Sequence, residues 1–242
     1  MKIIKVADYD EMSRKACEMV VDKVKEMGNP VLGLATGSTP EGLYQRIIEK
    51  YKQGDVSFEN VTTFNLDEYV GLAGDDPNSY RYFMNEKLFK HVDISTDKTH
   101  VPNGVAKDLN AECENYEQFI QDVGGIDLQV LGLGTNGHIA FNEPGTSFES
   151  RTGVVDLTQE TLEANRRFFN SIDEVPTQAL SMGIGLIFEA KEIILLVSGE
   201  AKAEALSRVI NGEVTEELPG SILQQHDHVT IIADAAALSK VK

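Results

Sequence analysis

Short, continuously apolar runs alternate with amphipathic stretches along the whole chain. Residues 1–6, 31–35, 61–66, 128–133, 192–198 and 229–233 read as strands, rich in Val, Ile and Leu. Residues 10–27, 40–51, 78–89, 109–121, 160–169, 201–210 and 235–241 read as helices. In the first of these, Met12, Ala16, Met19, Val20, Val24 and Met27 recur at helical spacing, and Gly28 supplies a stop. A strand that is apolar on both faces has to be covered on both. Such strands, separated by helices, predict an α/β fold built on a mainly parallel sheet with helices on both faces. Ligands of these sheets bind beyond the carboxyl ends of the strands. Chemistry is therefore expected in the loops after Ala35, Leu66, Leu133 and Ser198.

Length and charge narrow the function. A chain of 242 residues suits one large domain, taken as 1–242. No apolar run is long enough for a membrane span, and the first residues are too short an apolar stretch for a signal peptide. Cys17 and Cys113 fall in helical segments and match no metal spacing, so they read as reduced packing residues of a cytoplasmic protein. The formal net charge of −17 argues against nucleic acid as a partner. It permits a small phosphorylated ligand only where positive groups gather at the site.

Four loops carry the candidate chemistry. Gly33-Leu-Ala-Thr-Gly-Ser-Thr-Pro40 follows a strand and opens a helix. Pro40 suits the first turn, Ser38 or Thr39 the N-cap, and Ser38-x-x-Glu41 a capping box. The free N–H groups of such a terminus make an anion site, although the segment alone fits a capped helix without ligand equally well. It is neither a Walker A loop nor a dinucleotide fingerprint. Phe64-Asn-Leu-Asp-Glu-Tyr69 places Asp67 and Glu68 at the end of an apolar strand, where a partly desolvated carboxylate serves as a general base; alone, a loop cap at Asp67 and a solvated Glu68 are the simpler reading. Gly132-Leu-Gly-Thr-Asn-Gly-His-Ile-Ala-Phe-Asn-Glu-Pro-Gly145 sets His138 and Glu143 in a glycine-rich loop, a proton carrier with a carboxylate in reach. The fourth supplies charge: Lys202 begins a helix after a strand, an unfavourable place unless an anion binds there. Of Arg166 and Arg167, at most one is expected to face a site.

With these motifs in the same order over essentially its whole length, the chain resembles the glucosamine-6-phosphate deaminases, of the glucosamine/galactosamine-6-phosphate isomerase family; Asn165-Arg-Arg-Phe-Phe169 is a further match. The resemblance implies a Rossmann-like parallel sheet. It also implies an enzyme of amino-sugar catabolism that converts glucosamine 6-phosphate and water to fructose 6-phosphate and ammonia. Carried over, Gly37, Ser38 and Thr39 hold the sugar phosphate, with charge from Arg167 and Lys202. His138, supported by Glu143, assists ring opening, and Asp67 moves a proton between carbons 2 and 1. Asn136 stands where many members carry aspartate and holds the histidine ring without adding charge. Glu68 receives no role. No cofactor and no metal are expected, since no step needs either.

The chain departs from members that are activated by N-acetylglucosamine 6-phosphate. Gly153 and Val155 replace basic residues that bind the activator, and the longer C-terminal tail is lacking. A monomer or small homo-oligomer with hyperbolic kinetics is expected. Two alternatives remain at this point: a 6-phosphogluconolactonase-like hydrolase, and a non-catalytic sugar-phosphate sensor.

Overall fold

The computed structural model describes residues 1–166 and 169–241. Its main sheet has seven strands, all parallel: β1 (Lys2–Val6), β2 (Val31–Leu34), β3 (Thr62–Asn65), β5 (Thr99–His100), β6 (Leu128–Gly132), β9 (Glu192–Val197) and β10 (Val229–Asp234). Their spatial order is β1-β10-β9-β6-β2-β3-β5. Alternate residues of each strand serve opposite faces. Ile194 and Leu196 of β9 pack with α1 (Tyr9–Met27) and α2 (Ser38–Lys52). Ile193, Leu195 and Val197 pack with α4 (Leu109–Asp122), α6 (Ile184–Phe188) and α7 (Ala203–Asn211). The expected α/β sheet with helices on both faces is therefore present.

The strand order locates the site. The chain builds outward from β2 through β3 to β5, then returns to lay β6 on the other side of β2. The loops leaving β2 and β6 consequently diverge, opening a crevice at the carboxyl ends of those strands.

Several elements differ from the sequence reading. A second, antiparallel sheet of β7 (Gly153–Asp156), β8 (Gln178–Ser181) and β4 (Asp67–Tyr69) was not anticipated. Its strands are three or four residues long, too short for alternation to register. Asp67 thus opens a new strand one residue after β3 ends; Leu66, between them, donates its N–H to Leu34 O at 3.1 Å. Residues 235–240 form turns rather than a helix, although the Asp234 carboxylate takes the Ala237 N–H at 2.8 Å as a helix cap would. Helix α5 (Gln159–Asn165) is shorter than expected, and part of the expected span lies outside the described residues. The short helix α3 (Tyr80–Lys87) starts at the Ser79 cap, whose hydroxyl accepts the Tyr82 N–H.

The capping expected for α2 also fails. Its N-cap is Gly37, at φ 92°, with no side-chain cap, and Ser38 is already helical. Left-handed φ at that residue suits glycine and moves Ser38 into the first turn. The Ser38–Glu41 capping box does not form; Glu41 pairs instead with Lys87 at 3.0 Å.

At the opposite, amino end of the strands Asp127 is 6% exposed and stitches the sheet together. Its carboxylate accepts the Val31 N–H at 2.7 Å and Lys191 Nζ at 2.7 Å. Its backbone N–H donates to Val31 O at 2.8 Å. Asp127→Ala leaves the Val31 donor buried and unpaired, so urea unfolding should show a loss of about 1–3 kcal/mol. Activity per folded molecule should be unchanged, since the residue lies at the far end from the crevice.

Candidate active site

The loop after β6 is shaped around one imidazole. Gly134 N–H donates to His138 O at 2.9 Å, and Gly137 N–H to Gly134 O at 3.0 Å. A Cβ on Gly134 would lie 2.3 Å from His138 Nδ1, so only glycine lets the ring lie on that backbone. Ala140 takes φ 50°, a left-handed conformation that costs a non-glycine residue about 1 kcal/mol or more. The loop is held in that shape from outside. Asn142 is buried and donates from Nδ2 to Ile139 O at 3.0 Å and to Met182 O at 2.8 Å. Gly220 N–H donates to Gly137 O at 2.9 Å.

Asn136, His138 and Glu143 form one hydrogen-bonded cluster, and the direction of each bond follows from the carboxylate. Glu143 Oε2 only accepts, so the Asn136 group 2.9 Å from it is the amide Nδ2. Asn136 Oδ1 then faces the histidine, accepting the backbone N–H of His138 at 3.2 Å and lying 2.7 Å from its Nδ1. An oxygen without a proton requires a proton on Nδ1. In the neutral ring Nε2 is therefore the bare nitrogen, the one available to a ligand. Nδ1 also lies 3.4 Å from Glu143 Oε2. Burial alone raises the Glu143 pKa. Hydrogen bonds from His138, Thr161 and Asn136, with the His138 charge, outweigh it and hold the acid near 2.

Asp67 has the opposite environment. It is 7% exposed and accepts no hydrogen bond among the described residues. Burial, reinforced by the neighbouring Glu68 charge, pushes its pKa to about 8. Glu68 points to the other side of the strand. There it accepts the N–H groups of Tyr69 at 2.8 Å, Tyr80 at 2.9 Å and Arg81 at 3.0 Å. It thereby anchors the start of α3, a structural task that the motif alone did not reveal. Tyr69 and Tyr80, with rings 4.7 Å apart, and Phe141, stacked 6.3 Å from Tyr80, join β4, α3 and the His138 loop.

The third cluster surrounds the first turn of α2. Tyr9 inserts its hydroxyl there, donating to Ser38 O at 2.7 Å and accepting the Gly42 N–H at 2.9 Å. Opposite lies the loop from β9 to α7, positioned by Asp234. That carboxylate accepts from Ser198 Oγ at 2.5 Å and from Gly199 N–H at 3.1 Å. A 3-10 turn, Glu200–Lys202, follows and ends on Lys202. Burial lowers the Lys202 pKa, and Glu160 on α5 is the carboxylate that opposes the shift. Arg167 lies outside the described residues. A groove of about 830 Å³ between α2 and α3 touches Ser38, Thr39 and Ser198 but reaches none of Asp67, His138 or Lys202.

Asn136, His138 and Glu143 are thus brought into contact. Asp67 at the start of β4, Gly37–Thr39 at the start of α2 and Lys202 before α7 follow β3, β2 and β9, at the same end of the sheet. Sequence reasoning missed the supports Asp234, Asn142, Tyr9, Thr158 and Thr161. Of these only Thr158-x-x-Thr161 carried a signal, that of a helix cap.

Asp67 makes the fold pH-sensitive. Its folded pKa lies above the unfolded value of 3.8. Between those two pH values the folded state holds a proton that the unfolded state releases, so stability falls as pH rises through this window. Asp67→Asn removes that loss. Urea unfolding should find the variant close to the parent near pH 4 and more stable than it at pH 9; a constant difference across the range contradicts the raised pKa.

Comparison with known proteins agrees with this architecture. A family profile described as glucosamine-6-phosphate isomerases/6-phosphogluconolactonase matches residues 7–232. A glucosamine-6-phosphate deaminase of Oceanobacillus iheyensis is 61% identical over 241 residues, covering 100% of this chain and 96% of its own. Glucosamine-6-phosphate deaminase 1 of Bacillus subtilis is 49% identical, covering 99% of both chains. A solved structure described as a monomeric glucosamine-6-phosphate deaminase superposes with a TM-score of 0.97 at 49% identity, over 99% of this chain and 100% of that one. The 6-phosphogluconolactonase from Trypanosoma cruzi has a TM-score of 0.79 at 21% identity, over 100% and 97% of the two chains, a likeness of fold alone. By the extent of the profile match and the identity to its relatives, the chain belongs to the glucosamine-6-phosphate isomerase/6-phosphogluconolactonase family.

Proposed function

We propose that the protein is a glucosamine-6-phosphate deaminase, converting glucosamine 6-phosphate and water to fructose 6-phosphate and ammonia. The observation that carries this reading is the pairing of two opposed proton carriers at one end of the sheet: an Asp67 buried without a hydrogen-bond partner among the described residues, and a His138 whose Nε2 is left bare. The relatives named deaminases at 49–61% identity support it.

The phosphate sits at the α2 N-terminus, on the N–H groups and hydroxyls of Gly37, Ser38 and Thr39. Lys202 and Arg167 supply the positive charge that a chain of net −17 otherwise withholds. His138 Nε2 takes the proton of the carbon 1 hydroxyl as the pyranose opens, and the imidazolium so formed returns it to the ring oxygen. Asn136 keeps Nδ1 protonated, and Glu143 balances the positive charge that develops on the imidazole. In the open aldehyde the ionised Asp67 removes the proton on carbon 2 while oxygen 1 takes a proton from the substrate's ammonium group, giving a neutral enolamine. It then delivers that proton to carbon 1, leaving an iminium at carbon 2. Water adds to the iminium, the nitrogen is protonated, and ammonia departs as the carbon 2 ketone forms. A raised pKa makes Asp67 strong enough as a base to work near neutral pH. The lactone hydrolysis of the related enzymes has no need of a base over carbons 1 and 2, so an intact Asp67 favours the deaminase; a mere sensor needs none of these groups.

A cytoplasmic setting is supported by the free, buried thiols of Cys17 and Cys113. A monomer or small oligomer is supported by the structural relative described as monomeric. Arg151 follows the catalytic loop but is engaged by Glu117 and by Glu189, the latter at 2.6 Å. This pairing supports hyperbolic kinetics without a phosphorylated activator.

Incubation with glucosamine 6-phosphate should release ammonia and fructose 6-phosphate in equal amounts, whereas hydrolysis of 6-phosphogluconolactone without ammonia release would favour the alternative. Asp67→Asn should stay folded and lose turnover by roughly a hundredfold or more. Lys202→Ala should raise KM for glucosamine 6-phosphate while scarcely changing the affinity for unphosphorylated glucosamine. Equal losses for both sugars would take Lys202 away from the phosphate.

A further inference from the structure

Glu143 has two oxygens, and the reading above uses one of them. Oε2 receives Asn136 and faces His138. Oε1 receives Thr161 Oγ1 at 2.7 Å, with Thr158 Oγ1 at 3.4 Å. Thr161 is 9% exposed and sits in the first turn of α5, eighteen residues beyond the carboxylate it binds.

Proton counting gives these bonds a direction. Each threonine hydroxyl has one proton. The 2.7 Å bond to a carboxylate commits the Thr161 proton to Glu143. The Thr158 hydroxyl, 3.0 Å from Thr161 Oγ1, then donates to it. As the N-cap of α5, Thr158 also accepts the Thr161 N–H at 3.2 Å. The result is a chain of donors from the helix cap through Thr161 into Oε1. Hydrogen bonds in such a chain strengthen one another.

A carboxylate held at one oxygen still swings about its terminal bond, and Oε2 would drift from Asn136 and His138. Held at both oxygens it does not. We propose that Thr161 is a positioning residue for the reaction: its hydroxyl fixes the second oxygen of Glu143 and so holds the His138–Asn136–Glu143 cluster in register with α5. A second contact supports the same docking, since Thr135 Oγ1 of the catalytic loop donates to Glu160 Oε1 of α5 at 3.2 Å. Helix α5 thus touches both ends of that loop, and seating it completes the acid/base cluster.

This inference rests on the deaminase reading, and two variants test it. Thr161→Val keeps the branched shape and removes the donor; Thr161→Ser keeps the donor. With glucosamine 6-phosphate, Thr161→Val should lower kcat about tenfold, the worth of one hydrogen bond to a charged group. KM and inhibition by inorganic phosphate should stay at wild-type values, because the phosphate groups are untouched. Thr161→Ser should restore most of kcat. Thermal unfolding shows whether each variant is folded, and Thr161→Ala replaces the valine variant should that one fail to fold. Wild-type kcat in Thr161→Val overturns the proposal. So does an equal loss in the serine variant, or a parallel weakening of phosphate inhibition, since these mark a general disturbance of α5. The carboxyl 13C resonance of Glu143 reads the contact without turnover: it should move in Thr161→Val and not in Thr161→Ser. If wild-type protein releases no ammonia, the deaminase reading falls, and this resonance alone still decides the role of Thr161.

Discussion

The site depends on the ionised carboxylate of Glu143. Because it accepts and never donates, every group around it has to turn a proton toward it. Asn136 must present its amide nitrogen, so its oxygen must face the histidine, and His138 must therefore carry its proton on Nδ1. The state of the outward-facing Nε2 is set three bonds away from the ligand. The same constraint reaches α5, where Thr161, backed by the cap residue Thr158, donates into the other oxygen. One half-buried charge thus orients a loop, an imidazole and a helix.

Asp67 shows how different treatment of the same functional group divides the labour. Glu143 is surrounded by donors and held near 2; Asp67 is buried beside another acid, without a donor among the described residues, and pushed to about 8. Environments that move two acids apart in this way let one remain a fixed charge while the other exchanges protons. The fold creates the contrast. Glu143 lies on a loop past β6, at the point where strand order reverses, and donors converge on it from two segments, its own loop and the start of α5. Asp67 starts β4, pinned against Ser181 in the small antiparallel sheet, and is buried there beside Glu68. Holding Asp67 there costs stability at high pH, a cost that a protein selected only for stability would not carry.

Much of this was legible in the residues. Six strands of the main sheet announce themselves as apolar runs, and α1, α2 and α4 by their spacing, because burial and periodicity are local properties; the seventh, β5, is only Thr99–His100 and leaves no such run. The loops that carry Gly37–Thr39, His138, Glu143 and Lys202 could be marked in the same way, since each follows an apolar strand. What was not legible is long-range. The second sheet joins three- and four-residue strands spread from Asp67 to Ser181, too short to leave a pattern. The support of the Ser198–Gly199 loop by Asp234 spans thirty-five residues and looks, in sequence, like an acid at the end of a strand. Thr161 looks like an ordinary first-turn residue. Ser38 offered a better cap than Gly37 by local preference, yet the chain needs a left-handed residue at the turn from β2 into α2. Glu68 resembled a spare acid until the fold brought the N–H groups of Tyr80 and Arg81 to it.

The most direct test of the account is the position of one proton. Two-bond 15N–1H correlation spectra of His138, recorded where the ring is neutral and without ligand, separate the two tautomers. The hydrogen-bond directions imposed by Glu143 and Asn136 predict a protonated Nδ1 and a bare Nε2. Asn136→Leu, which removes the amide, should relax that preference. A neutral His138 protonated at Nε2 in the unaltered protein would contradict the account, because the bare nitrogen would then face Asn136 and the outward-facing one could take no proton from a sugar hydroxyl.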